Sequence, residues 1–116
     1  VPSAPSKDFI TVPNPETGRD YEVYLETDEF TCLCPITGQP DFATIRITYV
    51  PDELLVELKS LKMYLWSFRD EGAFHEAVTN SILDDILQAI HPRRITVETI
   101  WKVRGGIAAT IAASHP

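Results

Sequence analysis

Two thiols stand two residues apart in "FTCLCPITGQPDF", residues 30–42. Cys32 and Cys34 are the only cysteines of the chain, and Asp41 follows seven residues after the second. Four kinds of chemistry fit such a group: a metal clip, a disulfide, a pair of buried apolar thiols, or a nucleophile with its proton donor. Structural zinc takes four ligands and catalytic zinc three plus water. Beyond the two thiols the chain offers His75, His91 and His115 and no second paired motif, so no metal site is expected. A disulfide between residues two apart is strained. Free cysteine is commonly buried as a small apolar residue, which suits Cys32 inside a strand-like run. Cys34 directly precedes Pro35 in a segment too polar for a core. It suits a nucleophile, with Asp41 held by a loop carrying Pro35 and Pro40 as the proton donor. An aspartate after proline is also an ordinary turn residue, and spacing alone leaves both readings open.

These residues need elements to position them. Residues 1–20 hold prolines at 2, 5, 13 and 15 and read as an extended, flexible arm without a fold of its own; residues 21–116 read as a single domain. "YEVYLETDEF" (21–30) predicts a strand whose acidic residues weaken the alternation. "CPITGQPD" predicts a loop. "FATIRITYV" (42–50) alternates Ile45, Ile47 and Tyr49 against Thr44, Arg46 and Thr48, a half-buried strand pairing antiparallel with the first. Leu61, Leu65 and Phe68 have helical spacing, predicting a helix from about Lys59 that Gly72 breaks. Phe74, Val78, Ile82, Ile86 and Ile90 recur every four residues and predict a second helix, ended by Pro92. "RRITVETIWKV" (93–103) alternates Ile95, Val97, Thr99, Trp101 and Val103 as a strand. "RGG" makes a tight turn, and "IAATIAAS" (107–114) is a strand whose small residues suit a closely packed place. Strand, strand, helix, helix, strand, strand is an α+β arrangement: a four-stranded antiparallel sheet with two helices on one face. Such a sheet leaves two edges and one open face, which small proteins cover by self-association.

The bulk composition narrows the partners. Charged residues make up 23% and hydrophobic ones 44%, the balance of a globular protein. A net charge of −7 argues against a general basic surface for nucleic acid. No apolar run approaches a membrane span. "VPSAPSKDF" lacks the features of a signal peptide, so a cytoplasmic location with reduced thiols is expected. The cations cluster as Lys59, Lys62 and Arg69, then Arg93, Arg94, Lys102 and Arg104. No Gly-x-Gly-x-x-Gly occurs, so a Rossmann dinucleotide site is not the reading.

"ELKSLKMYLW" (57–66) resembles the signature of the NADPH-dependent nitrile reductases that convert 7-cyano-7-deazaguanine to 7-aminomethyl-7-deazaguanine in queuosine biosynthesis. Glu57, Leu58, Lys59, Ser60, Leu61, Lys62 and Tyr64 fit it, with Met63 in a place that is usually Leu. "CPITGQPDF" is similar to that family's catalytic loop, "FHE" (74–76) to its substrate-binding helix start, and "RGG" (104–106) matches as well. The resemblance covers residues 28–113 and looks like the single-module form. It implies the tunnelling fold, with sheets joined into a barrel, a homodecamer of two stacked pentamers, and substrate sites between subunits. It implies Cys34 as the nucleophile forming a covalent thioimide, Asp41 as proton donor, and NADPH as the reductant. His75 and Glu76 would bind substrate, the Glu76 carboxylate accepting from the paired N–H groups of a guanine-like edge. Val56, Glu57 and Leu58 would line the same substrate, partly through backbone groups. Lys59, Lys62 and Arg104 would contact the dinucleotide phosphates. Without the resemblance, His75–Glu76 is an ordinary charged helix start and Lys59–Lys62 a solvated helix face. Two rivals remain: a relative that forms an amidine on a nitrile-bearing transfer RNA, and a non-catalytic purine-binding oligomer.

Overall fold

The computed structural model describes residues 4–116; the first three residues of the expected arm lie outside the described residues. Eight elements follow in order: β1 (Thr11–Pro13), β2 (Val23–Leu33), β3 (Pro40–Val50), β4 (Leu54–Val56), α1 (Leu58–Trp66), α2 (His75–Ile90), β5 (Arg94–Arg104) and β6 (Ile107–His115). The main sheet runs β2-β3-β5-β6, antiparallel throughout. Its alternation decides which face is covered. Ile45, Ile47 and Tyr49 of β3 and Ile95, Val97, Thr99 and Trp101 of β5 are all buried, and Val78, Ile82, Ile86 and Ile90 of α2 are buried in the same core as Leu61 and Tyr64 of α1. The α+β reading, with two helices on one face, therefore holds.

Several details differ from the periodicity. On α1 the place expected for Leu65 belongs to Tyr64, fully buried with its hydroxyl donating to Asp85 at 2.5 Å; Leu65 is only half-buried. The small residues of β6 do not mark tight packing. That strand is a sheet edge, with Ile107 exposed and only Ala109, Ile111 and Ala113 partly covered. Two short strands add to the expected six elements. β4 pairs with β1 of the N-terminal segment, Thr11 opposite Val56. Phe9 packs tilted against Tyr64, ring centroids 4.4 Å apart, and Arg93 joins Asp20 at 2.5 Å and Asp52 at 3.1 Å, so this segment lies along the helical layer. Among the described residues, no helix is long and apolar enough to cross a membrane.

Candidate active site

Two register shifts at one end of the sheet set the site. In β2, Thr27 pairs with Ile45 but Phe30 with Ala43, so one extra residue bulges at Asp28–Glu29. A bulge reverses which parity faces inward. Val23, Leu25 and Thr27 lean toward the helices before it, and Phe30 and Cys32 after it. The acidic interruption that weakened the alternation is this bulge. In β5, Trp101 pairs with Ala109 but Arg104 with Ile107. The extra residue turns Val103 outward, 62% exposed, where simple alternation expected it inside. It also gives Arg104 the inward parity.

Arg104 thereby meets Asp41. Its Nη1 donates to Asp41 Oδ1 at 2.6 Å and to the Pro40 carbonyl at 3.0 Å, and its Nη2 donates to Gln39 Oε1. Asp41 is 6% exposed, opposite Cys32 in the ladder. Its second oxygen lies 3.4 Å from His75 Nε2. The His75 ring stacks on Trp101, centroids 3.7 Å apart and planes within 5°.

The cysteine loop is closed by its own backbone. Cys34 N–H donates to the Gln39 carbonyl at 2.8 Å, and Gly38 N–H to the Cys34 carbonyl at 2.9 Å. Gly38 has a φ of 72°, a left-handed conformation suited to glycine. The Thr37 hydroxyl, and then the backbone N–H groups of Thr37 and Ile36, hold the Cys34 thiol below its ordinary value by favouring the thiolate. Cys32 is the opposite case. It is fully buried, and burial together with the nearby Asp41 charge pushes its thiol up to about 11. Two cysteines of one motif thus sit in opposed environments, one buried and held toward the thiol, the other half-buried and held toward the thiolate.

The chain between the helices is stitched to this loop. Leu33 N–H donates to Glu71 and Ala73 N–H to Leu33, at 2.9 and 3.0 Å. Gly72 bridges to Leu33 and faces Pro35 at ordinary contact distance. This seam ties the segment leading into α2, and so into Phe74, His75 and Glu76, to the start of the cysteine loop. Among the described residues no three His, Cys, Asp or Glu side chains converge as metal ligands.

Cys34, Asp41, His75, Glu76 and Arg104 therefore gather at one end. Val56, Glu57, Leu58 and Lys59 do not join them. Val56 N–H donates to the Tyr49 hydroxyl at 3.3 Å. Tyr49 lies eight residues along β3 from Asp41, about 26 Å at the usual strand rise. The Glu57 carboxylate is spent capping α1, accepting from Lys59 N–H at 2.6 Å and Ser60 N–H at 2.9 Å. Leu58 is exposed. Lys62 lines a groove of about 830 Å³ between α1 and β2, together with Leu58, Trp66 and Arg69. Arg104, expected at a phosphate, is engaged with the cysteine loop. Trp101, Thr37 and Gln39 were not singled out from the sequence. Trp101 read as an ordinary core residue of an alternating strand, and the contacts of the other two depend on loop closure.

A thiol held toward the thiolate near a carboxylate–imidazole–guanidinium cluster, on a sheet covered by two helices, is an arrangement suited to nucleophilic addition with proton transfer. The comparisons give that arrangement its family. The family model described as "QueF-like protein" matches residues 40–116. The NADPH-dependent 7-cyano-7-deazaguanine reductase of Anaeromyxobacter sp. (strain Fw109-5) is 63% identical over 99% of this chain and 94% of its own. That of Alkalilimnicola ehrlichii is 61% identical over 96% and 86%, and that of Thermomicrobium roseum 56% over 99% and 90%. Among solved structures, the apo archaeosine synthase QueF-Like superposes with a TM-score of 0.75 at 22% identity, over 80% of this chain and 91% of its own, a likeness of fold. The chain belongs to the NADPH-dependent 7-cyano-7-deazaguanine reductase family.

Proposed function

We propose that this chain reduces the nitrile of 7-cyano-7-deazaguanine to the primary amine, 7-aminomethyl-7-deazaguanine, through a thioimide on Cys34. The observation that carries this is the place of Cys34, on the loop that runs into the Asp41–His75–Arg104 cluster, with Thr37 and Ile36 holding its thiol toward the thiolate. The names of relatives up to 63% identical supply the substrate and the reductant.

The Cys34 sulfur adds to the nitrile carbon and the nitrogen takes a proton, giving a thioimide. Asp41 is paired with Arg104 in the free chain, so the proton it delivers must first reach it. The Cys34 thiol is the source that closes the balance: thiol to Asp41, Asp41 to nitrogen. NADPH, when bound, supplies hydride, one per molecule and two per nitrile. After the first reduction the Cys34–carbon bond breaks, freeing the thiolate and leaving an imine. The second reduction with a further proton gives the amine. Two NADPH and two protons are consumed, and Cys34 is regenerated.

Glu76, exposed on the first turn of α2, accepts from the guanine-like edge, with His75 beside it. The groove carrying Lys62 and Arg69 with Leu58 and Trp66, beside the helix that also bears Lys59, has the character a dinucleotide needs: cations for phosphates and apolar surface for flat rings. A guanidinium has five N–H donors, and Arg104 uses three, so two remain for a phosphate. The distance between Val56–Lys59 and Cys34 supports sites shared between copies, one supplying the thiol end and its neighbour the α1 start. The open edges of β2 and β6 suit the barrel of pentamers stacked as a homodecamer. The location proposed is the cytoplasm, where the thiols stay reduced. Substituting Cys34→Ala and Asp41→Asn tests the roles. Cys34→Ala should bind the nitrile without a covalent adduct, and Asp41→Asn should slow reduction far more than it weakens binding. An adduct in Cys34→Ala would move the nucleophile to Cys32.

A further inference from the structure

We infer that Thr79, Thr99 and Trp101 form a buried positioning device that fixes His75 against Asp41. The inference rests on the nitrile-reductase reading for the reaction but on separate residues for its evidence. The Trp101 Nε1–H donates to Thr99 Oγ1 at 2.8 Å, Thr99 and Thr79 hydroxyls meet at 2.7 Å, and the Thr79 hydroxyl donates to the His75 carbonyl at 2.8 Å. Both threonines are 0% exposed and Trp101 is 4% exposed.

The ends of this chain force its direction. An indole N–H only donates and a carbonyl only accepts, while a hydroxyl has one proton to give. Thr79 gives its proton to His75, so Thr99 must give its own to Thr79, and Trp101 supplies Thr99. Every link is used once, and each polarises the next. The loop then closes in space, because the Trp101 ring that starts the chain is the surface on which the His75 imidazole stacks. One unit holds His75 by both its backbone and its ring.

The start of α2 lacks a side-chain cap, and the Thr79 hydroxyl, which donates to a carbonyl, anchors that turn without capping it. Its N-cap is Phe74, whose side chain makes no capping hydrogen bond. Helix starts without caps leave N–H groups unpaired and fray. Yet this turn carries His75 and Glu76. Thr99 gives the buried Trp101 N–H its acceptor, so that hydroxyl also serves stability. The Thr79 hydroxyl ends the chain on the His75 backbone, and that last link is the one that positions.

The test uses the full chain at saturating 7-cyano-7-deazaguanine without NADPH, following Cys34 adduct formation by intact mass, with melting temperatures in parallel. Thr79→Val should slow the adduct by about ten- to hundredfold, the scale of a slightly misplaced catalytic group. Thr79→Ser, which keeps the hydroxyl, should restore most of the rate. His75→Ala should itself be slow, and Thr79→Val should cost nothing more in that background. A wild-type rate in His75→Ala, an equal loss in both backgrounds, or a loss not rescued by serine would overturn the device. If Thr79→Val does not fold, Thr99→Ser and Thr99→Val carry the same comparison. If the wild-type chain forms no adduct at all, the failure belongs to the reductase reading.

Discussion

Glu57→Ala separates a helix cap from a ligand contact. Both carboxylate oxygens of Glu57 are engaged by the first N–H groups of α1, at 2.6 and 2.9 Å. Losing a side-chain N-cap costs about 1 kcal/mol. Losing a negative charge at a helix start costs roughly 0.3–1 kcal/mol more. Together these give about 1.5 kcal/mol. For a chain of this size, about 4 °C of melting temperature follows each kcal/mol, so the expected drop is about 6 °C. Glu57→Gln keeps one acceptor oxygen and loses the charge, and should fall about half as far. The assay is thermal unfolding at one fixed protein concentration, because assembly makes the melting point concentration-dependent, with nitrile affinity measured on the folded variants. Affinity should change little if the segment meets substrate through its backbone. An unchanged melting point with a tenfold loss of affinity would refute the cap argument and make the carboxylate a substrate ligand.

Thr37→Val should move the pH midpoint of Cys34 alkylation upward, toward the ordinary thiol value near 8.5. The Thr37 hydroxyl favours the thiolate, so removing it leaves less thiolate at any given pH; the pH dependence of iodoacetamide labelling reads this directly. The same reagent should label the folded protein at Cys34 alone and reach Cys32 only on unfolding, and Cys32→Ala should keep the adduct while losing about 1 kcal/mol of core packing. Glu76→Ala should raise the nitrile dissociation constant at least tenfold by calorimetry. Lys59→Ala with Lys62→Ala should raise the KM for NADPH and leave nitrile affinity alone.

The layered fold was legible because Ile45, Ile47, Tyr49 and Ile95, Val97, Thr99, Trp101 keep strict alternation while α2 keeps its four-residue spacing. The bulges were not. Asp28–Glu29 and Lys102–Val103 are too polar or too short a run to reveal a parity change, so Val103 was assigned inward and Arg104 had no visible partner. The β1–β4 pair was equally hidden, since three residues gain strand form only from a partner over forty positions away. Cys34 and Asp41 were readable as a local motif. Their neighbours His75 and Arg104 entered by resemblance, and their meeting at Asp41 depends on tertiary contacts that no spacing encodes. Thr99 read only as an inward member of β5's alternation and Thr79 as one more residue of α2. Their pairing is a tertiary contact, formed when α2 packs on β5.

The most direct measurement gives the purified chain 7-cyano-7-deazaguanine, follows NADPH absorbance, and takes intact mass in a parallel sample without NADPH. Two NADPH oxidised per nitrile, with a substrate-sized adduct mapping to Cys34 when the reductant is omitted, is the predicted result. An adduct with no oxidation would contradict the reductase reading and favour amidine formation, and the absence of both would contradict a catalytic role for Cys34.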